Sequence, residues 1–233
     1  MTTAPATTAT LAALSGQYTI DPSHTEIGFV ARHAMVTKVR GAFTEFEGSA
    51  TTRPGLSDPA ISLTIQAASV DTGNADRDGH LRSADFFDVE TYPTITFVST
   101  HIAEAAPQVL HVEGQLTMHG VTRPVAIDFD FDGVATDPFG NERVGLSGSV
   151  VVNRKDFGLE WNAALETGGV LVSENITLAF EVSAIRSGDA PEATPVGDEQ
   201  PAPARAAAQA APAAQPQPAA QGGFLGWLKK IFG

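Results

Sequence analysis

Asp76, Asp78 and His80 fall within five residues of one another, and Asp85 and Asp88 follow closely. Carboxylates and an imidazole gathered in this way are the groups that hold a divalent metal or move a proton. The spacing argues against both uses. Helix positions two apart do not share a face, and no zinc or hydrolytic signature accompanies them. A capped helix with a solvated charged face accounts for the same side chains. The sequence also lacks a serine nucleophile elbow, a P-loop and a dinucleotide-binding glycine fingerprint. No catalytic residue and no metal ligand is assigned.

Two other polar residues stand on apolar rows. Thr25, Ile27, Phe29, Ala31 and His33 share one parity, which turns His33 inward either as a hydrogen-bonded core histidine or as a ligand contact. Val150, Val152 and Arg154 share a face in the same way. A buried guanidinium needs a partner. Two partners are open: an internal salt bridge to Asp85 or Asp88, or the anionic or polar head of a ligand, which the planar fork of arginine suits.

The elements that must position these groups read as strands. From Tyr18 to Ile185 short runs alternate with period two and break at Gly, Pro, Asn and Asp. Strands are expected over roughly 17–20, 25–35, 39–52, 60–70, 94–104, 109–119, 122–135, 143–155 and 170–185. Val125, Ile127, Phe129 and Phe131 face one way, and Asp128, Asp130 and Asp132 the other. Strands this long suit a tilted sheet closed on itself, which removes exposed edges and leaves room for one elongated ligand. The fold class is therefore all-β, an extended eight-stranded antiparallel barrel. Gly28, Gly114, Gly145 and Gly148 fit bends or space for a guest.

The connection from Asp71 to Pro93 is far longer than the two to five residues of a hairpin. Asn74 can cap a helix through Arg82, with Asp76 and Asp78 in its first turn. Ser83 can cap a second turn carrying Phe86 and Phe87, and Tyr92-Pro93 forces an extended restart into Ile95 and Phe97. The expected shape is a polar-backed plug with aromatic feet.

Charge and composition narrow the partners. The chain has 14 basic and 27 acidic residues, a net charge of −13, and the span from Gln17 to Arg186 holds 11 and 23 of them. Such a surface repels nucleic acid. There is no cysteine. Residues 1–16 lack a basic residue and a secretory apolar run, so a disordered arm and no signal peptide are expected, and no run reaches the ~18 apolar residues of a membrane span. The expected location is cytoplasmic, peripheral at the inner face of the membrane.

Residues 187–221 are mostly Ala, Pro and Gln and are expected to form a disordered linker. Residues 222–233 are expected to form an amphipathic helix. Phe224, Leu225, Trp227, Leu228, Ile231 and Phe232 share one arc, opposite Gly226, Lys229 and Lys230. A helix below ~12 residues is marginal in water. Its apolar arc and two lysines are read as contacts to an anionic membrane surface, with a protein partner or its own barrel as the other choices.

Five stretches together carry a resemblance: YTIDPSHTEIGFVARH at 18–33, GAFTEFEG at 41–48, SVDTGNADRDGHLRSADFFDVETYPTITF at 69–97, GQLTMHGVTRPV at 114–125 and NRKDFG at 153–158. Over about 18–186 the chain resembles the YceI-like family of lipid-binding proteins, described as lipocalin-like and polyisoprenoid-binding. The resemblance implies an extended barrel whose elongated apolar cavity binds an isoprenoid, a quinone or a related amphiphile such as a polyprenyl phosphate. It implies no chemical step and no cofactor other than the lipid. Carried to this chain, the lining is expected to be Phe29, Phe43, Ile65, Leu81, Phe86, Phe97, Leu116, Val152, Phe157, Trp161 and Phe180. His33, Arg154 and Arg82 are expected nearer the polar end. The alternatives are an enzyme acting on a lipid head group and a stress-related module whose tail recruits a protein. An exposed barrel rim could also pair two copies as a homodimer.

Overall fold

The computed structural model describes residues 9–166 and 168–190. Eleven strands and one helix follow in chain order: β1 Gly16–Ile20, β2 Glu26–His33, β3 Thr37–Phe43, β4 Phe46–Arg53, β5 Ser57–Gln66, β6 Val70–Asp71, α1 Ala75–Arg82, β7 Thr94–Ala106, β8 Val109–Met118, β9 Val121–Thr136, β10 Glu142–Asn153 and β11 Asn175–Gly188. Eight of them form a closed antiparallel ring, β1-β4-β5-β7-β8-β9-β10-β11, and the pairing of β11 back to β1 seals it. The expected eight-stranded barrel is present.

β11 divides its free edge between two partners. Its last residues pair with β1, as in Ile185 with Thr19, whereas Thr177 to Glu181 pair with β2. β2 and β3 form a hairpin that takes over where β1 stops, and β6 lies along β3. At one end, then, a single strand stands between β11 and β4, and at the other end two do. That second end therefore gains about one strand spacing, ~4.8 Å, in circumference. It also carries α1 and the 154–174 loop, and we call it the lid end. The opposite end, where β1 begins and β11 finishes, is the base.

Several boundaries differ from the alternation. The run expected over 39–52 is two strands, because the chain reverses at Thr44–Glu45 without a glycine or proline to mark it. The strand expected over 60–70 stops at Gln66 and tightens into a 3-10 turn before β6. The last strand begins at Asn175 rather than 170, since Val172 and Ser173 belong to the loop over the lid end.

The base is closed by a segment expected to be loose. Leu11 and Leu14, within the span read as a disordered arm, are buried in the barrel core. A turn over Leu11–Ala13 crosses the base. Gly55 N–H donates to Ala12 O at 2.9 Å, and Gln108 Nε2 to Ala9 O at 3.2 Å. Two leucines in a Thr/Ala-rich stretch are too sparse to show periodicity, yet each supplies about 1.5–3 kcal/mol when fully buried.

Candidate functional site

The inner faces of the strands enclose one elongated cavity of about 220 Å³. Its wall follows the alternation residue by residue: Leu110, Val112, Leu116 and Met118 on β8, then Val125, Ile127 and Phe129 on β9. On β11 the lining runs from Ile176 to Ala184, about 26 Å at ~3.3 Å per residue. That approaches the ~30 Å thickness of a bilayer's hydrocarbon core. An apolar slot of this length suits an extended lipid chain better than a compact metabolite.

Glycines on this wall seat aromatic rings. Gly148 pairs across the ladder with Phe129, and a methyl group there would stand 2.8 Å from Phe129 Cδ1. Gly114 lies under Phe97 in the same way. For these two glycines the rings of the protein, not a bend or a guest, take up the space a side chain would need.

The lid end is built from three pieces. In the first, Asn74 Oδ1 accepts the Arg77 N–H at 3.0 Å and starts α1 as expected. Leu81, Phe86 and Phe87 then reach the cavity, and Phe87 meets Phe43 edge to face at 5.6 Å. Phe86 packs against His80 at 4.9 Å and Trp161 at 5.3 Å. In the second, Arg82 Nε donates to Ala68 O and Nη2 to Val70 O, both at 2.6 Å. These two hydrogen bonds clamp the helix to the chain before it.

The third piece is Arg154, 3% exposed in a short 3-10 turn after β10. Its Nε donates to Ser173 O at 3.0 Å, and its Nη1 donates to Leu159 O. No carboxylate among the described residues pairs with it, so the internal salt bridge to Asp85 or Asp88 is not formed. Asp85 instead meets His80 Nε2 at 2.9 Å. Arg154 lines the cavity, and its Nη2 is buried with no hydrogen-bond partner. Burial pushes its guanidinium below the ordinary arginine range, with the negative charge of Glu174 acting the other way. An apolar channel with one donor group at its lid end can hold the acceptor head of an amphiphile.

Residues 18–184 match the YceI-like domain. The chain belongs to the YceI-like family. UPF0312 proteins share 36% identity with it: over 152 residues in Vibrio cholerae, covering 64% of this chain and 80% of the relative, and over 172 residues in Staphylococcus aureus, covering 72% and 95%. Among solved structures, BcnA of Burkholderia cenocepacia is 25% identical with a TM-score of 0.60, over 70% of this chain and 98% of that one. A YceI protein of Campylobacter jejuni is 28% identical with a TM-score of 0.58, over 67% and 90%. A polyisoprenoid binding domain from Saccharophagus degradans shares the fold at 20% identity and a TM-score of 0.57, over 75% and 98%.

In this YceI-like barrel ten expected residues line the cavity: Phe29, Phe43, Ile65, Leu81, Phe86, Phe97, Leu116, Val152, Arg154 and Phe180. Four do not. Phe157 is buried in the core beside the channel, and Trp161 packs outside Phe86 against His80 at 4.6 Å. Arg82 is spent on the carbonyls that clamp α1. His33 ends β2 in a bridge to Val172, where burial, helped by the positive charge of Arg77, pushes its imidazole below the ordinary histidine range.

The carboxylate cluster is also structural in its geometry. Asp78, expected on a solvated face, is buried and accepts Thr72 N–H at 2.9 Å and Thr72 Oγ1 at 2.5 Å. Asp76, Asp78 and His80 do not line the cavity. Among the described residues no group of three or more His, Asp or Glu is placed to hold a metal ion, and no helix is long and apolar enough to cross a membrane. Val112, Met118, Ile127 and Leu178 line the cavity as well, beyond the expected lining set, and each has the parity of an expected lining residue or of the alternating row around it.

Proposed function

We propose that the protein carries or stores one long-chain isoprenoid or similar amphiphile, such as a polyprenyl phosphate or a quinone. The observation that carries this reading is the apolar channel closed at its base and interrupted at the lid end by one buried guanidinium nitrogen without a partner. The chain of the ligand fills the barrel toward the base. Its acceptor oxygen meets Arg154, which already belongs to the loop that closes the mouth. The polyisoprenoid binding domain of Saccharophagus degradans, which shares the fold, supports the isoprenoid class.

Residues 222–233 lie outside the described residues, and we propose for them a weak tether to a membrane surface. Lysines 229 and 230 would each add about 1 kcal/mol near an anionic leaflet. Co-sedimentation with liposomes of the full chain and of a version ending at Gln200 separates the tail's share, and equal binding removes it.

Organic extraction of protein purified gently from its native host, followed by mass spectrometry, tests the main reading. A stoichiometric amphiphile of one chain length is the expected result. A barrel that yields no lipid, and takes up none when offered isoprenoid alcohols or phosphates, overturns it.

A further inference from the structure

The β2–β3 hairpin carries three cations and no acid between Ile27 and Phe43, on a chain of net charge −13. Arg32 and Lys38 are direct cross-strand partners, and Arg40, opposite Val30, lies next on the same outward face. All three are exposed, and none forms an ion pair with a carboxylate among the described residues. Like charges placed opposite each other on a ladder are destabilising. The pair gains only if something anionic meets it from outside.

The tip between the two strands is apolar. Met35 is 52% and Val36 76% exposed. The exposed Val151 stands on another row, Val151–Thr177–Val30–Arg40, which the Arg32–Lys38 pair separates from the tip. Large apolar side chains ringed by Arg and Lys match the boundary of an anionic bilayer, where the apolar groups enter and the cations stay among the head groups. A nucleic acid offers no apolar phase for Met35 and Val36.

The hairpin is firmly held and close to the mouth. Arg32 N–H donates to Ser173 Oγ at 2.9 Å, Ser173 N–H to Arg32 O at 3.0 Å, and Ala34 N–H to Leu171 O at 2.7 Å. Ser173 O is also the acceptor for Arg154 Nε. One serine thus joins the hairpin to the guanidinium at the end of the channel. Exposed acids lie at both ends of the barrel, Asp76, Asp85 and Glu160 at the lid end and Asp130 and Asp132 toward the base, so the attraction to an anionic surface is local to the hairpin.

We propose that this hairpin docks the lid end on an anionic lipid surface, so that the mouth of the channel faces the leaflet from which its guest is drawn. The purpose rests on the lipid-carrier reading; the docking itself is measured without any guest.

The chain has no cysteine, so one can be added at a chosen point in the full-length protein. Val36→Cys and, at the exposed tip of the β9–β10 turn at the base, Phe139→Cys are each labelled with an environment-sensitive nitrobenzoxadiazole. Each is mixed with vesicles of phosphatidylcholine, alone or with 30 mol% phosphatidylglycerol, a composition set for the assay. Position 36 is expected to shift to the blue on anionic vesicles only, and position 139 on neither. Arg32→Gln/Lys38→Gln/Arg40→Gln should lose roughly 10²-fold in partitioning, about fivefold for each cation near the surface.

Co-sedimentation without a shift at position 36 would assign binding to the tail and overturn the proposal. Equal shifts at both positions, an equal response to neutral vesicles, or unchanged partitioning of the triple variant would overturn it as well. A soluble acidic protein that shifts position 36 where vesicles do not would replace the bilayer with that partner. Loss of lipid retention in the extraction experiment leaves these outcomes untouched, and failure to dock leaves retention untouched.

Discussion

Phe86 and Phe131 form a natural controlled pair, since both are phenylalanines 6% exposed in the same core. Phe86 closes the lid end against His80 and Trp161. Phe131 sits toward the base, its N–H bonded to Gln108 O at 2.8 Å, and does not line the cavity. Truncating either to alanine removes a similar apolar volume and is expected to cost ~3–5 kcal/mol. At ~2–4 °C per kcal/mol for a domain of this size, both melting temperatures fall by roughly 6–20 °C. Ligand release should separate them. The loss at Phe86 falls on the docking of the lid, and 3 kcal/mol raises its undocked population ~10²-fold, because each 1.4 kcal/mol is a factor of ten. The loss at Phe131 falls on the barrel as a whole. Stopped-flow release of a dansyl-labelled fatty acid into excess empty liposomes reads the difference. Phe86→Ala is expected to release at least tenfold faster than wild type, and Phe131→Ala within threefold of it. Equal acceleration in both would mean that guests leave by general opening of the barrel, and the lid argument would fail.

Three further outcomes follow from the geometry. Gly148→Ala drives a methyl group against Phe129 Cδ1 and Asp128 O, so thermal melts should show a loss of ~1–3 kcal/mol and binding should show reduced capacity for long chains. Arg143, helped by His24, holds the Asp21 carboxyl well below its ordinary range, and Asn141 followed by Arg143 does the same for Asp137. The resulting stability is present above the unfolded carboxylate pKa of ~3.9 and is lost as pH falls toward the depressed folded values; urea melts of wild type and Arg143→Gln should therefore differ at pH 7, begin to approach each other only below about pH 4, and meet toward the depressed folded values. Burial, helped by the positive charge of Arg77, lowers the His33 imidazole, so as pH falls through ~6.5 the unfolded chain takes up this proton more readily than the folded one. Stability should fall through that window and fall less in His33→Gln, whereas His111, raised chiefly by Asp128, contributes the opposite slope in both proteins.

The sequence exposes what depends on period and hides what depends on meeting. Alternation placed Val125, Ile127 and Phe129 on the channel wall because a strand has two faces and water chooses between them. The cap at Asn74 was equally legible, since its partner is three residues away. Alternation turns Arg154 inward, but of its two open partners the salt bridge does not form: the carbonyls of Ser173 and Leu159 reach it through a loop that carries no carboxylate signal. Arg82 and Trp161 have the types of ligand contacts and are turned to the back of the lid by that same tertiary folding. Leu11 lay beyond any periodic pattern, and only the closed base shows why it is needed.

The pairing of β1 with β11 sets an order on how the barrel comes into being. Thr19 meets Ile185, so the seam joins the opening of the domain to its last strand, and no earlier contact can replace it. Without β11 the ladder β1-β4-β5-β7-β8-β9-β10 has nothing to close it, and whatever part of it forms first would have its apolar face wet. Contacts so distant along the chain are slow to form. A guest present during synthesis would then meet a trough before a tunnel, and refolding in the presence and absence of guest would show whether the trough is loaded before the tunnel closes.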